Sequence, residues 1–117
     1  MRQWIGAVVL AANIFIPPTV KSQTTAEPNV ESITNTIVLP SCIDCHRSFN
    51  DLPRYYKDYD PRFPRRGVIV KGQPDLSHFY TLIKSGRMPP ERYPQYPRVS
   101  DANLAVIRQW IETLGTE

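Results

Sequence analysis

With 117 residues the chain has room for one domain at most. Its formal charge of +3 overstates the balance, because residues 1–22 carry Arg2 and Lys21 and no acid, and without them 12 basic residues face 11 acidic ones. A net charge near neutral gives no case for nucleic-acid binding, and a total of two cysteines excludes a four-cysteine zinc site.

At the amino terminus, Arg2 precedes an apolar run from Trp4 to Ile16 that Pro17 and Pro18 break. Val20-Lys21-Ser22 then offers a small-residue processing site. Residues 1–22 are expected to be a secretory signal peptide cleaved after Ser22, with cleavage after Ala26 as the alternative. The run is 13 residues long, short of the roughly 20 that a spanning helix needs. A membrane association is therefore expected only if the segment stays uncleaved as an anchor, and no Cys lies near the site to carry a lipid. The expected location is periplasmic or secreted. A mature chain of about 95 residues has a marginal core of its own.

Residues 23–28 are polar, include Pro28, and read as a flexible lead; the domain proper is expected over 29–117. Val30, Ile33 and Ile37, with Thr34 and Val38 beside them, recur at helical spacing. They predict an amphipathic helix over 29–39 that Pro40 ends.

That helix leads into Cys42-Ile43-Asp44-Cys45-His46, a C-x-x-C-H pattern of the kind that attaches haem covalently. If these residues form a helical turn, Cys42 and Cys45 lie three apart on one face and His46 lies beside them. Two thiols then reach the two vinyl groups of one haem, and the imidazole takes the proximal axial position. A C-x-x-C pair alone would equally suit a thioredoxin-like redox pair, half of a zinc site or a small disulfide loop. A zinc site here would need His46 and His78 with both cysteines, and the adjacent Cys45 and His46 make poor independent ligands. No βαβ context for a thioredoxin motif is found. The final His is required by haem and by neither rival. A large apolar cofactor would supply the core that a chain this short lacks, so the cofactor-free chain is expected not to fold.

Residues 47–74 show no long periodic segment and are punctuated by Pro53, Pro61, Pro64 and Pro74; Val68-Ile69-Val70 suggests a brief extended piece. A loop this long is unusual in a small domain unless it wraps a cofactor. Arg54, Lys57, Arg62, Arg65 and Arg66 cluster here with Asp58, Asp60, Tyr55, Tyr56 and Tyr59. Three readings compete: a solvated loop, Arg or Tyr side chains binding the haem propionates, and a docking surface for an acidic redox partner.

A second helix is expected to run to Ser85, capped by Asp75 or Ser77, with Leu76, Phe79, Tyr80, Leu82 and Ile83 on its apolar side and Gly86 as its stop. Met88 follows in a loop stiffened by Pro89 and Pro90. A lone Met is usually core filler, but in a polar, proline-rich loop it reads better as the second iron ligand. His78, the other candidate, reads as a solvated helix histidine. Ser100 caps the last helix, with Leu104, Ile107, Trp110, Ile111 and Leu114 as its stripe and Gly115 at its end.

Four blocks carry a resemblance: Cys42–His46; Gly72-Gln73-Pro74-Asp75-Leu76-Ser77 with Phe79, Tyr80 and Ile83; Gly86-Arg87-Met88-Pro89-Pro90; and Ser100-Asp101 through Ile107, Trp110 and Ile111. In this order the mature chain resembles a small class I c-type cytochrome of the bacterial monohaem kind. The resemblance implies an all-α cytochrome c fold, with three main helices and long loops around one haem c. It also implies His46 and Met88 as the iron ligands, and first and last helices packed near the haem edge with Trp110 at their contact. Residues 47–66 depart from the family, where small Gly-rich loops are usual.

With both axial positions filled, such a protein shuttles single electrons and is not an enzyme. The expected partners are other redox proteins, met either as a free carrier or within an oxidoreductase complex. The rivals are a haem-based ligand sensor with Met88 off the iron, and a non-haem C-x-x-C thiol protein.

Overall fold

The computed structural model describes residues 27–116 and the single residue Ala12. The expected signal peptide and most of the lead therefore lie outside the described residues.

The first helix, α1, is one path in three registers: an α turn over Val30–Ile33, a wider π segment over Thr34–Val38, and a last α turn over Leu39–Ser41. Asn29 starts it with a reciprocal cap. Its side-chain oxygen accepts from the Ser32 N–H at 2.9 Å, and the Ser32 hydroxyl oxygen accepts from the Asn29 N–H at 3.1 Å. The expected buried face holds, with Ile33, Ile37 and Val38 buried. The expected end at Pro40 does not. Proline in a regular helix lacks a donor and crowds the carbonyl four residues back. Here the preceding turn is already widened, the Leu39 N–H reaching back five residues to the Thr34 carbonyl. The chain carries Pro40 for another turn and delivers its end directly to Cys42.

Residues 47–74 are more ordered than their sequence suggests. A 3₁₀ run over Arg47–Tyr55, kinked at Asp51, buries Leu52 completely. Two short strands follow, β1 (Tyr56–Lys57) and β2 (Ile69–Val70), paired in parallel with Tyr56 opposite Ile69 and Lys57 opposite Val70. The all-α expectation thus meets a small parallel ladder. Phe63, in the crossover between the strands, is 63% exposed.

A single 3₁₀ turn over Pro74–Leu76 leads into α2 (His78–Lys84). Ser77 is the N-cap residue of α2, one of the two positions expected, but its side chain makes no capping bond. The His78 N–H donates to the Gly67 carbonyl at 2.8 Å and the Phe79 N–H to the Val68 carbonyl at 3.0 Å. These bonds satisfy donors that a cap would otherwise serve. The Ser77 hydroxyl is freed to join β2 to the turn: it accepts from the Val70 N–H and donates to the Gln73 carbonyl, both at 2.8 Å. Fully buried, it is satisfied on both sides.

The last helix, α3 (Asp101–Leu114), begins as expected, with the Ser100 oxygen accepting from the Asn103 N–H at 3.1 Å. Gly115 ends it, as expected, and the reason lies in packing. Its φ is −75°, open to any residue. A Cβ there would lie 2.6 Å from the Gly72 Cα. The requirement is close backbone approach, sealed by the Gly72 N–H donating to the Ile111 carbonyl at 2.8 Å.

The core joins Ile33, Ile37 and Val38 of α1, Leu52, Ile69, Phe79 and Tyr80, and Ile107, Trp110, Ile111 and Leu114 of α3. A run of ring contacts crosses it, Phe49 to Phe79 at 5.9 Å, Phe79 to Trp110 at 6.2 Å, and Trp110 to Tyr56 at 6.1 Å between centroids. Among the described residues no helix is long and apolar enough to cross a membrane.

Candidate functional site

The end of α1 turns directly into the C-x-x-C-H segment. The Cys42 and Ile43 N–H groups both donate to the Val38 carbonyl at 2.9 Å, and the His46 N–H closes an i to i+4 turn on the Cys42 carbonyl at 2.8 Å. Cys42 itself, at φ −125° and ψ −35°, lies outside regular helix. The turn is nevertheless tight enough to point Cys42, Cys45 and His46 into one cavity.

Met88 reaches the same cavity from the far end of α2. Gly86 adopts φ +78°, the left-handed conformation that glycine tolerates. Its N–H donates to the Ile83 carbonyl at 3.0 Å, and the Arg87 N–H reaches back to Leu82 at 3.0 Å. This is a Schellman ending, and the Met88 N–H adds a third bond, to the Leu82 carbonyl at 3.1 Å. The Met88–Pro89 peptide is cis.

The cavity measures about 270 Å³, close to the lower end of the roughly 300–1,000 Å³ usual for ligand sites. Ile83, Pro89, Pro90 and Val99 give it apolar walls, and Arg92, Tyr93 and Tyr96 give it polar edges. The Ser41 hydroxyl donates to the Pro97 carbonyl at 2.8 Å, tying the end of α1 to the segment that carries Tyr96 and Val99. Desolvation, followed by the proximity of Asp44 and Cys45, raises the Tyr96 phenol above its ordinary value. That effect places Tyr96 beside the motif.

Both thiols are free. Burial, with a smaller contribution from Cys45, pushes the Cys42 thiol up to about 11. The His46 ring stacks on Phe49 at 4.7 Å between centroids and 12° between planes. That contact links the motif to the ring contacts of the core.

All four residues expected to hold a haem, Cys42, Cys45, His46 and Met88, thus line one cavity although up to 46 positions separate them in sequence. Their chemistry suits the group: two unpaired thiols, an imidazole, a thioether and an apolar wall. His78 is exposed and takes no part in the lining. Residues 47–74 do not line the cavity either, so the expectation that this segment wraps a cofactor fails for this cavity. The segment instead packs Leu52 into the core and pairs β1 with β2. Of its cations, Arg62 pairs with Asp60 at 3.1 Å on the surface, and the side-chain and backbone N–H donors of Arg62 hold the Asp60 carboxyl below its usual range. The arginine that borders the cavity is Arg92.

Sequence reasoning missed Ser41, Arg92, Tyr93, Tyr96 and Arg98. Their roles come from the path of residues 88–99, which no periodicity encodes. A larger hollow of about 570 Å³ lies beside Asp58, Tyr59, Lys71 and Glu112, but it gathers no thiol, imidazole or thioether. Among the described residues no group of three His, Cys, Asp or Glu side chains is placed to hold a metal ion, so the zinc reading gains nothing.

No family model, curated protein or solved structure matches this chain. The functional reading therefore rests on the residues and their geometry.

Proposed function

We propose that the chain is a monohaem c-type cytochrome that carries single electrons between redox proteins outside the cytoplasm. The observation that carries this reading is the convergence of Cys42, Cys45, His46 and Met88 on one apolar-walled cavity. Cys42 and Cys45 would hold the group through two thioether bonds, and His46 and Met88 would supply nitrogen and sulfur to its iron. Once bound, haem supplies an iron that gains and loses one electron.

The chain's own residues set the conditions for that exchange. The turn closed by His46 on the Cys42 carbonyl fixes the spacing of the two sulfurs and the imidazole. Phe49, stacked on the His46 ring, restrains its orientation. The Schellman ending of α2 fixes the backbone of Met88. Ile83, Pro89 and Val99 exclude water from one side of the cavity, and burial of this kind tunes a reduction potential. With His46 and Met88 both engaged on the iron, no coordination position would be left for a substrate. The role is electron transfer, as a free carrier or as the haem subunit of a complex.

Cys42 does not have the surroundings of the attacking thiol of a redox pair. A reactive C-x-x-C cysteine has its thiol lowered towards or below neutrality, and here burial moves it the opposite way, to about 11.

The test is the intact mass of the exported protein made in cells competent for haem attachment. The expected value is that of the processed chain plus one haem, and the same measurement locates the cleavage site. In Cys42→Ser with Cys45→Ser the increment should vanish, along with the haem stain that otherwise survives a denaturing gel. A native protein bearing no haem, or one losing it on denaturation, would overturn the reading.

A further inference from the structure

Met88 sits in a segment without regular secondary structure, yet both sides of it are fastened by one side chain. Arg98 donates from Nη2 to the Gly86 carbonyl at 2.8 Å and from Nη1 to the Pro89 carbonyl. The two acceptors lie two residues before Met88 and one after it. Among the described residues no carboxylate forms an ion pair with Arg98. Its charge is directed at the two carbonyl dipoles. The planar fork of a guanidinium suits this task, whereas an ammonium presents its donors from one point. The neighbouring residues belong to the cavity wall: Tyr96 and Val99 line it, and the Pro97 carbonyl is held by Ser41.

We propose that Arg98 is the positioning residue for the sulfur ligand, clamping the Gly86 and Pro89 carbonyls so that the Met88 thioether stays directed into the cavity. This rests on the reading of Met88 as an axial ligand. Arg98 acts through backbone alone, since the two carbonyls it binds flank Met88. It should therefore govern how firmly the sulfur is held and contribute less to the fold as a whole, because the core residues lie elsewhere.

The experiment uses the haem-bearing protein with Arg98→Ala, Arg98→Lys and the control Arg87→Ala, which removes an exposed positive charge next to Met88. Three readouts are compared: the sulfur-to-iron charge-transfer band of the oxidised form, the rate at which the reduced form binds carbon monoxide, and the melting temperature. Arg98→Ala should lose most of the band and bind carbon monoxide about tenfold faster or more, tenfold in an equilibrium or rate being worth about 1.4 kcal/mol. Arg98→Lys should recover only part of the band, and Arg87→Ala should keep it. If Arg98→Ala cannot be loaded with haem, Arg98→Lys decides: a full band there overturns the clamp. A full band in Arg98→Ala also overturns it while leaving Met88 as ligand. Equal loss in Arg87→Ala would mean that charge alone acts, and the clamp would fall. A wild-type protein without the band would remove both the Met88 ligand and the proposal that depends on it.

Discussion

Nine residues of α1, α2 and α3, with Leu52 and Ile69, form a continuous buried cluster of eleven apolar and aromatic side chains among the described residues; across residues 88–99 only Pro89 is buried. The first region is held by packing, in which each side chain touches several others. The second is held by point contacts: the Schellman bonds at Gly86, the Arg98 clamp and the Ser41 bond to Pro97. Packing is redundant and cooperative, whereas point contacts are individually small and can be lost one at a time. The consequence is a division of labour. The core sets whether the molecule is folded, and the cavity wall sets what the molecule can hold. Segments with few buried apolar contacts open at lower cost than the rest, and ligand-binding walls are commonly drawn from them.

The comparison breaks most directly at Trp110. It is 1% exposed and contacts the rings of both Tyr56 and Phe79. Truncating a buried Trp to Ala removes its transfer free energy and leaves a cavity, typically about 3–5 kcal/mol in all. Trp110→Ala should therefore lower the melting temperature by far more than any substitution in residues 88–99. A loss under about 1 kcal/mol would show that the core is not the unit that holds the fold together.

Gly115 sharpens the comparison by sign. At φ −75°, a Gly-to-Ala change free of clashes would stabilise by about 0.4–1 kcal/mol through the unfolded chain. Here the new Cβ would meet the Gly72 Cα at 2.6 Å, backbone against backbone. Gly115→Ala should therefore destabilise, by about 1–3 kcal/mol as overpacking does. Denaturant melts of the two proteins decide between the two signs, and a stabilised variant would dissolve the contact between the end of α3 and Gly72.

The same division explains what was legible in the sequence. Side chains at helical spacing announced α1 and α3, and Ser100 and Gly86 announced their own turns because capping is a local property. The four candidate ligands stood out because covalent haem attachment would impose its own spacing on Cys42, Cys45 and His46, and because Met88 stood in a loop where filler is uncommon; the structure brings the four to one cavity. Pro40 misled because the wider turn that accommodates it is set by the preceding residues. Ser77 misled because the carbonyls of Gly67 and Val68, distant from any cap motif, had already taken its task. Residues 47–66 hid their order because 3₁₀ runs and two-residue strands are too short to show a period. Arg98 and Ser41 act on carbonyls, which every residue possesses, so nothing in their neighbours' identities marks them.

Ser41 gives the smallest effect and the most specific one. Its hydroxyl makes the bond that ties the end of α1, next to Cys42, to the Pro97 carbonyl. The site is exposed to solvent, so water can replace the lost donor, and the net cost of Ser41→Ala should be about 0.5–1.5 kcal/mol. Because the core does not depend on this bond, the cost should fall on the wall. Backbone amides around Pro97, over residues 95–99, should exchange with solvent up to about tenfold faster, while those of Met88 and of Asp101–Leu114 keep their rates. Arg98 remains in place in this variant, so the wall should loosen on the Pro97 side and stay fastened near Met88. Uniformly faster exchange across α3 and the wall would mean that the two regions open together, and the separation between a packed core and a tethered wall would be lost.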